Sequence, residues 1–209
     1  MEIQQSYGLT GKNADGIWGP ASQAAKDKAE GKTTTSSALP ELPSEAEMAV
    51  RQAFMESNFN PKAVNSIGAV GLYQIMSGAL SDYNRLTGSN LTEEDLLSPD
   101  INIKVRNWYI NHLKERDWIK NHTYGSSAVE NARIYGAYNY GNGKMIPSVT
   151  KAKEDGIDVY NTLDWVNDSI LPKETSNYIN FIVRGDSVSP HKNMREYEKA
   201  VKKNPEIVR

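Results

Sequence analysis

The chain has 209 residues, 26 acidic against 24 basic, with a net charge of −2, 38% hydrophobic residues and no cysteine. That length holds one substantial domain with appendages, the charge balance offers no basic surface for nucleic acid, and the lack of thiols excludes a disulfide framework or a thiolate metal site. No stretch reaches the ~20 apolar residues of a membrane span, and the N-terminal run MEIQQSYGLTGKNADG has neither the basic nor the apolar region of a secretory signal.

In chain order, Asp15-Gly16 and Gly19-Pro20 ahead of Ala24-Ala25 predict a turn and a short helix within residues 1–30. A segment of ~30 residues buries too little apolar surface to fold alone, so it is expected to dock on the main domain or to be the remnant of a longer one. Residues 31–43, GKTTTSSALPELP, have the composition of a linker.

The main domain is expected over residues 44–190. Ser44 with Glu47, following Pro43, is a capping-box start. Ala46, Ala49, Val50, Ala53 and Phe54 form the apolar stripe of the helix that follows. Glu56 falls about twenty degrees outside that stripe, beside Ala49. A carboxyl there is half desolvated by its own helix, which favours the neutral acid. Asn60-Pro61 ends this helix, and Gly68 and Gly71 allow a tight connection. Leu72, Ile75, Met76, Ala79, Leu80 and Tyr83 then predict a second helix that carries Gln74 and is closed by Gly88.

Thr92 to Leu97 reads as a short acidic helical turn. Ser98-Pro99-Asp100 opens a longer helix with Ile101, Val105, Trp108, Tyr109 and His112 on one face. After a loop at 121–125, Ser127 with Glu130 is a second capping box, and Gly141-Asn142-Gly143 ends the helix it opens. Residues 144–170 read as loop and short helices at the edge of a cleft. A helix after Pro172 carries Tyr178 and Ile182, and residues 191–209 place Met194, Tyr197, Ala200 and Val201 on a docked C-terminal helix. The fold class is mainly α.

The three histidines form no i, i+4 pair near acidic ligands, so no metal site is expected. Ser57 has no candidate base beside it, which argues against a serine nucleophile. No Gly-rich phosphate loop opens a helix, and no cofactor is expected.

One motif set is more specific. Glu56-Ser57-x-Phe59-x-Pro61-x-Ala63 followed by Gly68-Ala69-x-Gly71-Leu72-x-Gln74-x-Met76 closely resembles the first two motifs of the soluble lytic transglycosylase catalytic domain. Asn102-Ile103, the run Ala137-Tyr138-Asn139-Tyr140-Gly141, and Glu174-Thr175-x-x-Tyr178 resemble its later motifs. The chain departs from the pattern in Ser77-Gly78 after Met76, in Asn65 where serine is common, in Arg106 where glycine is usual, and in Ser176 where arginine is usual. Asp15-Gly16 to Ala25 resembles half of a small helical peptidoglycan-binding domain.

This resemblance implies a lysozyme-like domain that cleaves peptidoglycan glycan strands, with Glu56 catalytic. It also implies substrate-binding roles for Ser57, Asn65, Gln74, Met76, Tyr138, Asn139, Glu174 and Tyr178. Tyrosine offers a face for stacking on sugar and a hydroxyl to bond it. Glycosidases commonly use two carboxyl groups; the resemblance implies that Glu56 alone performs both proton transfers, with Glu174 a structural hydrogen-bonding residue. A hydrolytic muramidase, a non-catalytic virion or wall-docking protein, and a peptidoglycan-binding module are the alternatives. The expected partner is peptidoglycan, the expected state a monomer. Phage lysis, transport inside a virion with other phage structural proteins, and removal of a leader are three routes by which such a chain reaches the wall.

Overall fold

The computed structural model describes residues 42–184 and 191–205. The expectations for residues 1–30 and for the linker before Leu42 lie outside them. Helix α1 (Glu45–Ser57) starts where the sequence predicts, with the Ser44 hydroxyl accepting the Glu47 amide at 3.1 Å. Glu47 turns its carboxylate to Arg51 at 2.6 Å rather than closing the box.

The buried face of α1 is not the predicted one. Ala46 is exposed and Ala49 and Val50 are half-buried, whereas Met48, Arg51, Gln52 and Ala53 are buried. Met48 and Gln52, spaced four apart, therefore lie on the inward row, and Glu56, four further on, continues it as a half-buried residue at the helix end. Apolar periodicity misplaced the face because two of its inward residues are polar and bonded from elsewhere: Arg51 to the Phe181 carbonyl, Gln52 to Arg106.

Two consecutive left-handed residues, Asn58 (φ 52°) and Phe59 (φ 62°), turn the chain out of α1. The bulky Phe59 holds this unfavourable conformation because its ring is buried against Phe54, 6.0 Å between centroids. The connection then folds on itself through isolated bridges between Val64 and Val70 and between Val70 and Ile75; the described residues contain no strand.

Helix α2 (Ser77–Thr87) begins later than predicted. Leu72, Ile75 and Gln74 precede it in turns, Gln74 with φ 48°, although Leu72 and Ile75 are buried as a helical stripe would be. The closing Gly88 is left-handed as expected. Gly71 could carry no other side chain: a Cβ there would meet the Leu96 carbonyl at 2.4 Å and Asn102 at 2.2 Å.

A 3₁₀ turn (Asp95–Leu97) leads into α3 (Pro99–Lys114), which has proline in its first turn. After the single turn of α4 (Asp117–Lys120) comes α5 (Ser127–Tyr140). Its N-cap is Ser126, with no side-chain capping bond, so the Ser127–Glu130 box does not form. Gly141 ends α5 and is also the N-cap of α6 (Asn142–Glu154), where the sequence reading has a stop and then loop. Pro147 and a weakly apolar surface hide that helix from pattern analysis. Helix α7 (Lys173–Ile179) runs on into a π-helical stretch (Asn180–Arg184), and α8 (His191–Lys203) docks by Tyr197 against Phe54 and Phe181.

Two apolar clusters result. One gathers α5, α6, α7 and the π-helical stretch around Tyr135, Met145, Trp165 and Phe181. The other gathers the end of α1, the connection, α2 and α3 around Phe59, Leu72, Ile75 and Leu96. Phe54, Tyr109, Tyr138 and Tyr197 pack against both. Glu56 lies at their seam.

Candidate active site

Glu56 projects from the last turn of α1, and the Tyr178 hydroxyl on α7 donates to its Oε1 at 2.5 Å. Loss of water pushes the Glu56 carboxyl up from 4.5 to about 7; the bond from Tyr178 pulls the other way, and the negative charge of Glu174 adds to the rise. Near neutral pH the group is thus divided between acid and base, as a proton-transfer catalyst needs. Burial, with the Glu56 charge second, holds the hydroxyls of Tyr138 and Tyr178 well above the usual phenol range, so both remain protonated donors.

The backbone around Glu56 is clamped by side chains. Ser57 gives its hydroxyl to the carbonyls of Leu72 (2.8 Å) and Ala53 (3.2 Å), tying α1 to the Gly-rich connection. Asn102, fully buried on α3, accepts the Tyr73 amide and donates to the carbonyls of Val70 and Leu96, so all its polar atoms are engaged. Tyr138 donates to the Tyr73 carbonyl at 2.7 Å. Asn65 is exposed and accepts the amides of Ile67 and Ala69, shaping a turn. Gln74 donates its amide nitrogen to the carbonyls of Ala63 and Gly71, which stabilises its left-handed backbone.

A cleft of about 490 Å³ opens beside this frame, lined by Gln74, Ile75, Met76, Ala79, Asp82, Tyr109 and Tyr138 among others. Met76 is 41% exposed there. Tyr138 belongs both to the cleft wall and to the surroundings of Glu56. Asn139, next to it on α5, accepts the Thr175 hydroxyl at 2.9 Å, joining α5 to α7.

The structure thus brings Glu56, Tyr138, Asn139 and Tyr178 into one region and sets Gln74 and Met76 on the adjoining cleft. Ser57 and Asn65 have polar atoms engaged by the backbone. Glu174 differs from expectation: it is exposed and makes no hydrogen bond among the described residues, so its influence on Glu56 is through charge alone. Asp164 and Asp168 are exposed on the connection before α7, Asp168 accepting the Ser176 hydroxyl. No group of acidic or histidine residues among the described residues could hold a metal ion.

Sequence reasoning passed over Gln52 and Tyr73, and named Arg106 and Thr175 only as motif positions without a role of their own. Gln52 was within reach of it, since it stands four residues before Glu56 and so on the same helix face.

No curated protein and no solved structure matches this chain. A family model described as the transglycosylase SLT domain matches residues 37–161, a span that includes α1 through α6. The helical architecture and the absence of strands among the described residues agree with that match, which covers more than half of the 209 residues. The chain therefore belongs to the transglycosylase SLT domain family, peptidoglycan-directed lytic transglycosylases with a lysozyme-like fold.

Proposed function

We propose that Glu56 is the single catalytic carboxyl of this lytic transglycosylase. It protonates the oxygen of the β-1,4 bond between N-acetylmuramic acid and N-acetylglucosamine. As the C1–O bond breaks, the muramyl acetamido oxygen covers the positive charge at C1. The C6 hydroxyl then displaces that oxygen, giving its proton to the Glu56 carboxylate and closing a 1,6-anhydro ring. The acid is regenerated and no water is consumed.

The observation that carries this reading is the state of Glu56, desolvated and raised to about 7, while Glu174, the carboxylate whose charge reaches it, is exposed and makes no hydrogen bond among the described residues. A group that must act as acid and then as base works best with a pKa close to the working pH. Tyr178 orients the carboxyl, and Gln74, Met76, Tyr138 and Asn139 position the sugars.

Mass spectrometry of muropeptides released from purified sacculi tests it. The expected product ends in 1,6-anhydro-N-acetylmuramic acid throughout, and Glu174→Gln lowers the rate only modestly. Free reducing ends, or a folded Glu174→Gln variant as inactive as Glu56→Gln, would assign the enzyme to hydrolysis by two carboxylates.

A further inference from the structure

A row of side chains leads outward from the cleft along α3. Tyr109 lines the cleft, and its ring centre is 6.3 Å from that of His112. Trp108 stacks on His112 at 4.9 Å with the two rings nearly parallel. Arg116, just past the end of α3, reaches back to His112 Nε2 with one terminal nitrogen at 2.7 Å. Its backbone is pinned, the amide donating to the Leu113 carbonyl and the carbonyl accepting the amides of Ile119 and Lys120. On α2, Asp82 also lines the cleft and is paired with Arg85 at 2.6 Å. Tyr83 meets the Trp108 ring edge-on at 5.3 Å, which holds α2 against this part of α3.

An arginine can only donate, so His112 Nε2 is the acceptor and the imidazole is neutral, with its proton on Nδ1. Burial, and then the Arg116 charge, lower the His112 pKa from its ordinary 6.5, in keeping with that state. The bond therefore fixes the Arg116 guanidinium without cancelling its charge. Asp82 is engaged by Arg85. Arg116 has no ion pair among the described residues, and its Nε is buried without a hydrogen-bond partner. The charged and titratable groups around it are Asp82 and Arg85 on α2 and Tyr109 and His112 on α3. A half-buried, oriented guanidinium with one side-chain hydrogen bond is a receptor for a carboxylate, which it can hold through two parallel bonds.

The substrate supplies such a group. The peptide stem on the lactyl group of N-acetylmuramic acid carries free carboxylates and extends by up to ~3.3–3.6 Å per residue. Arg116 stands beyond Tyr109 and His112, outside the cleft wall, where a stem residue reaches and a sugar ring does not. We propose that Arg116, positioned by His112, binds a carboxylate of the muramyl peptide stem and gives this enzyme a preference for strands with anionic stems. This rests on the reading of the cleft beside Glu56 as the sugar site.

Glycan strands of one length, with stem carboxylates either free or converted to amides, test it on the full chain. The wild type is expected to cleave the anionic strands with a kcat/KM roughly tenfold higher, mainly through KM. Arg116→Gln should bring the anionic strands down to the amidated level while staying within about twofold of the wild type on amidated strands. His112→Phe, which keeps the stack on Trp108 but offers no acceptor, should lose most of the preference, and His112→Gln should recover it. Equal wild-type rates on the two strands, or an Arg116→Gln loss of the same factor on both, overturns the proposal. Strands stripped of peptide, which keep only the lactyl carboxylate, should be as slow as the amidated ones. Full rate on them would assign Arg116 to the lactyl group and overturn the stem reading. If Arg116→Gln gives no cooperative melt, Arg116→Met replaces it under the same criterion. Glu56→Gln separates the two levels: if it is inactive and the wild type shows no strand preference, the Arg116 subsite fails alone. If it is active, the catalytic reading falls, and the strand preference still reports on Arg116.

Discussion

Two arginines are buried to the same degree in this protein, 2% exposed each, and neither has an ion pair among the described residues. Arg106 satisfies its guanidinium with Gln52, Tyr135 and Asn107, Gln52 standing one helical turn before Glu56 on α1. Arg133, on α5, is held differently. One terminal nitrogen donates to the Val159 carbonyl at 2.9 Å, and the rings of Trp118, Tyr124, Tyr160 and Trp165 surround the group at 5.0–5.9 Å. Its Nε has no partner, and burial pulls its pKa down. The same residue type is thus accommodated once by directed hydrogen bonds and once by π faces. Directed bonds transmit orientation to whatever they touch; an aromatic cage transmits packing. Changes near Arg106 should therefore appear in the chemistry, and changes at Arg133 in stability.

Glu56, one turn beyond the Gln52 that Arg106 holds, offers the largest test. Glu56→Gln is expected to reduce sacculus turnover at least ~10²-fold while the far-UV circular dichroism is unchanged, since it removes only the transferable proton. For the wild type, the requirement for a protonated Glu56 makes the rate fall as pH rises through about 7.

Arg133→Ala should invert that pattern. Emptying the cage removes a large buried side chain and its contacts with four rings, so a loss of about 3 kcal/mol is expected in urea unfolding, with kcat per folded molecule unchanged. A large drop in kcat with normal stability would show that the cage also feeds the site.

Glu56 has its own effect on stability, and the sign follows from its pKa. The folded protein holds the proton more tightly than the unfolded chain, about 7 against 4.5. The contribution of this group to stability is therefore greatest below pH 4.5 and is lost as pH rises to about 7. Glu56→Gln should melt like the wild type near pH 4.5 and be more stable above pH 7, by about 3 kcal/mol. Thermal melts across that range check it; an equal difference at both ends would mean that Glu56 is not desolvated.

The smallest expected effect is at Ser57, whose hydroxyl joins α1 to the Leu72 carbonyl. Ser57→Ala leaves that buried Leu72 carbonyl without its side-chain donor and should cost about 1 kcal/mol. Turnover should fall far less than on Glu56→Gln, because Glu56 keeps its bond from Tyr178.

Much of this was determined by local sequence. Ser44 and Pro99 start helices, Gly88 ends one, and Gly71 sits where no side chain fits, because capping and φ preferences act over a few residues. The motif from Glu56 to Met76 and the run around Tyr138 were likewise legible, being contiguous and specific. Only the tertiary structure decided which face of α1 turns inward. Its inward polar residues are satisfied by partners far away in sequence, Arg51 by Phe181 and Gln52 by Arg106, and apolar periodicity carries no record of such bonds. Likewise, Leu72 and Ile75 are buried through turns and bridges rather than a helix, and α6 forms despite Pro147 because its inward residues Met145, Val149 and Ala152 join the core shared with α5 and α7. The acidity of Glu56 is of the same kind: helix position brings the carboxyl to the seam, but the hydroxyl that bonds it comes from α7, more than a hundred residues along the chain, and its desolvation exists only once the two clusters have closed around it.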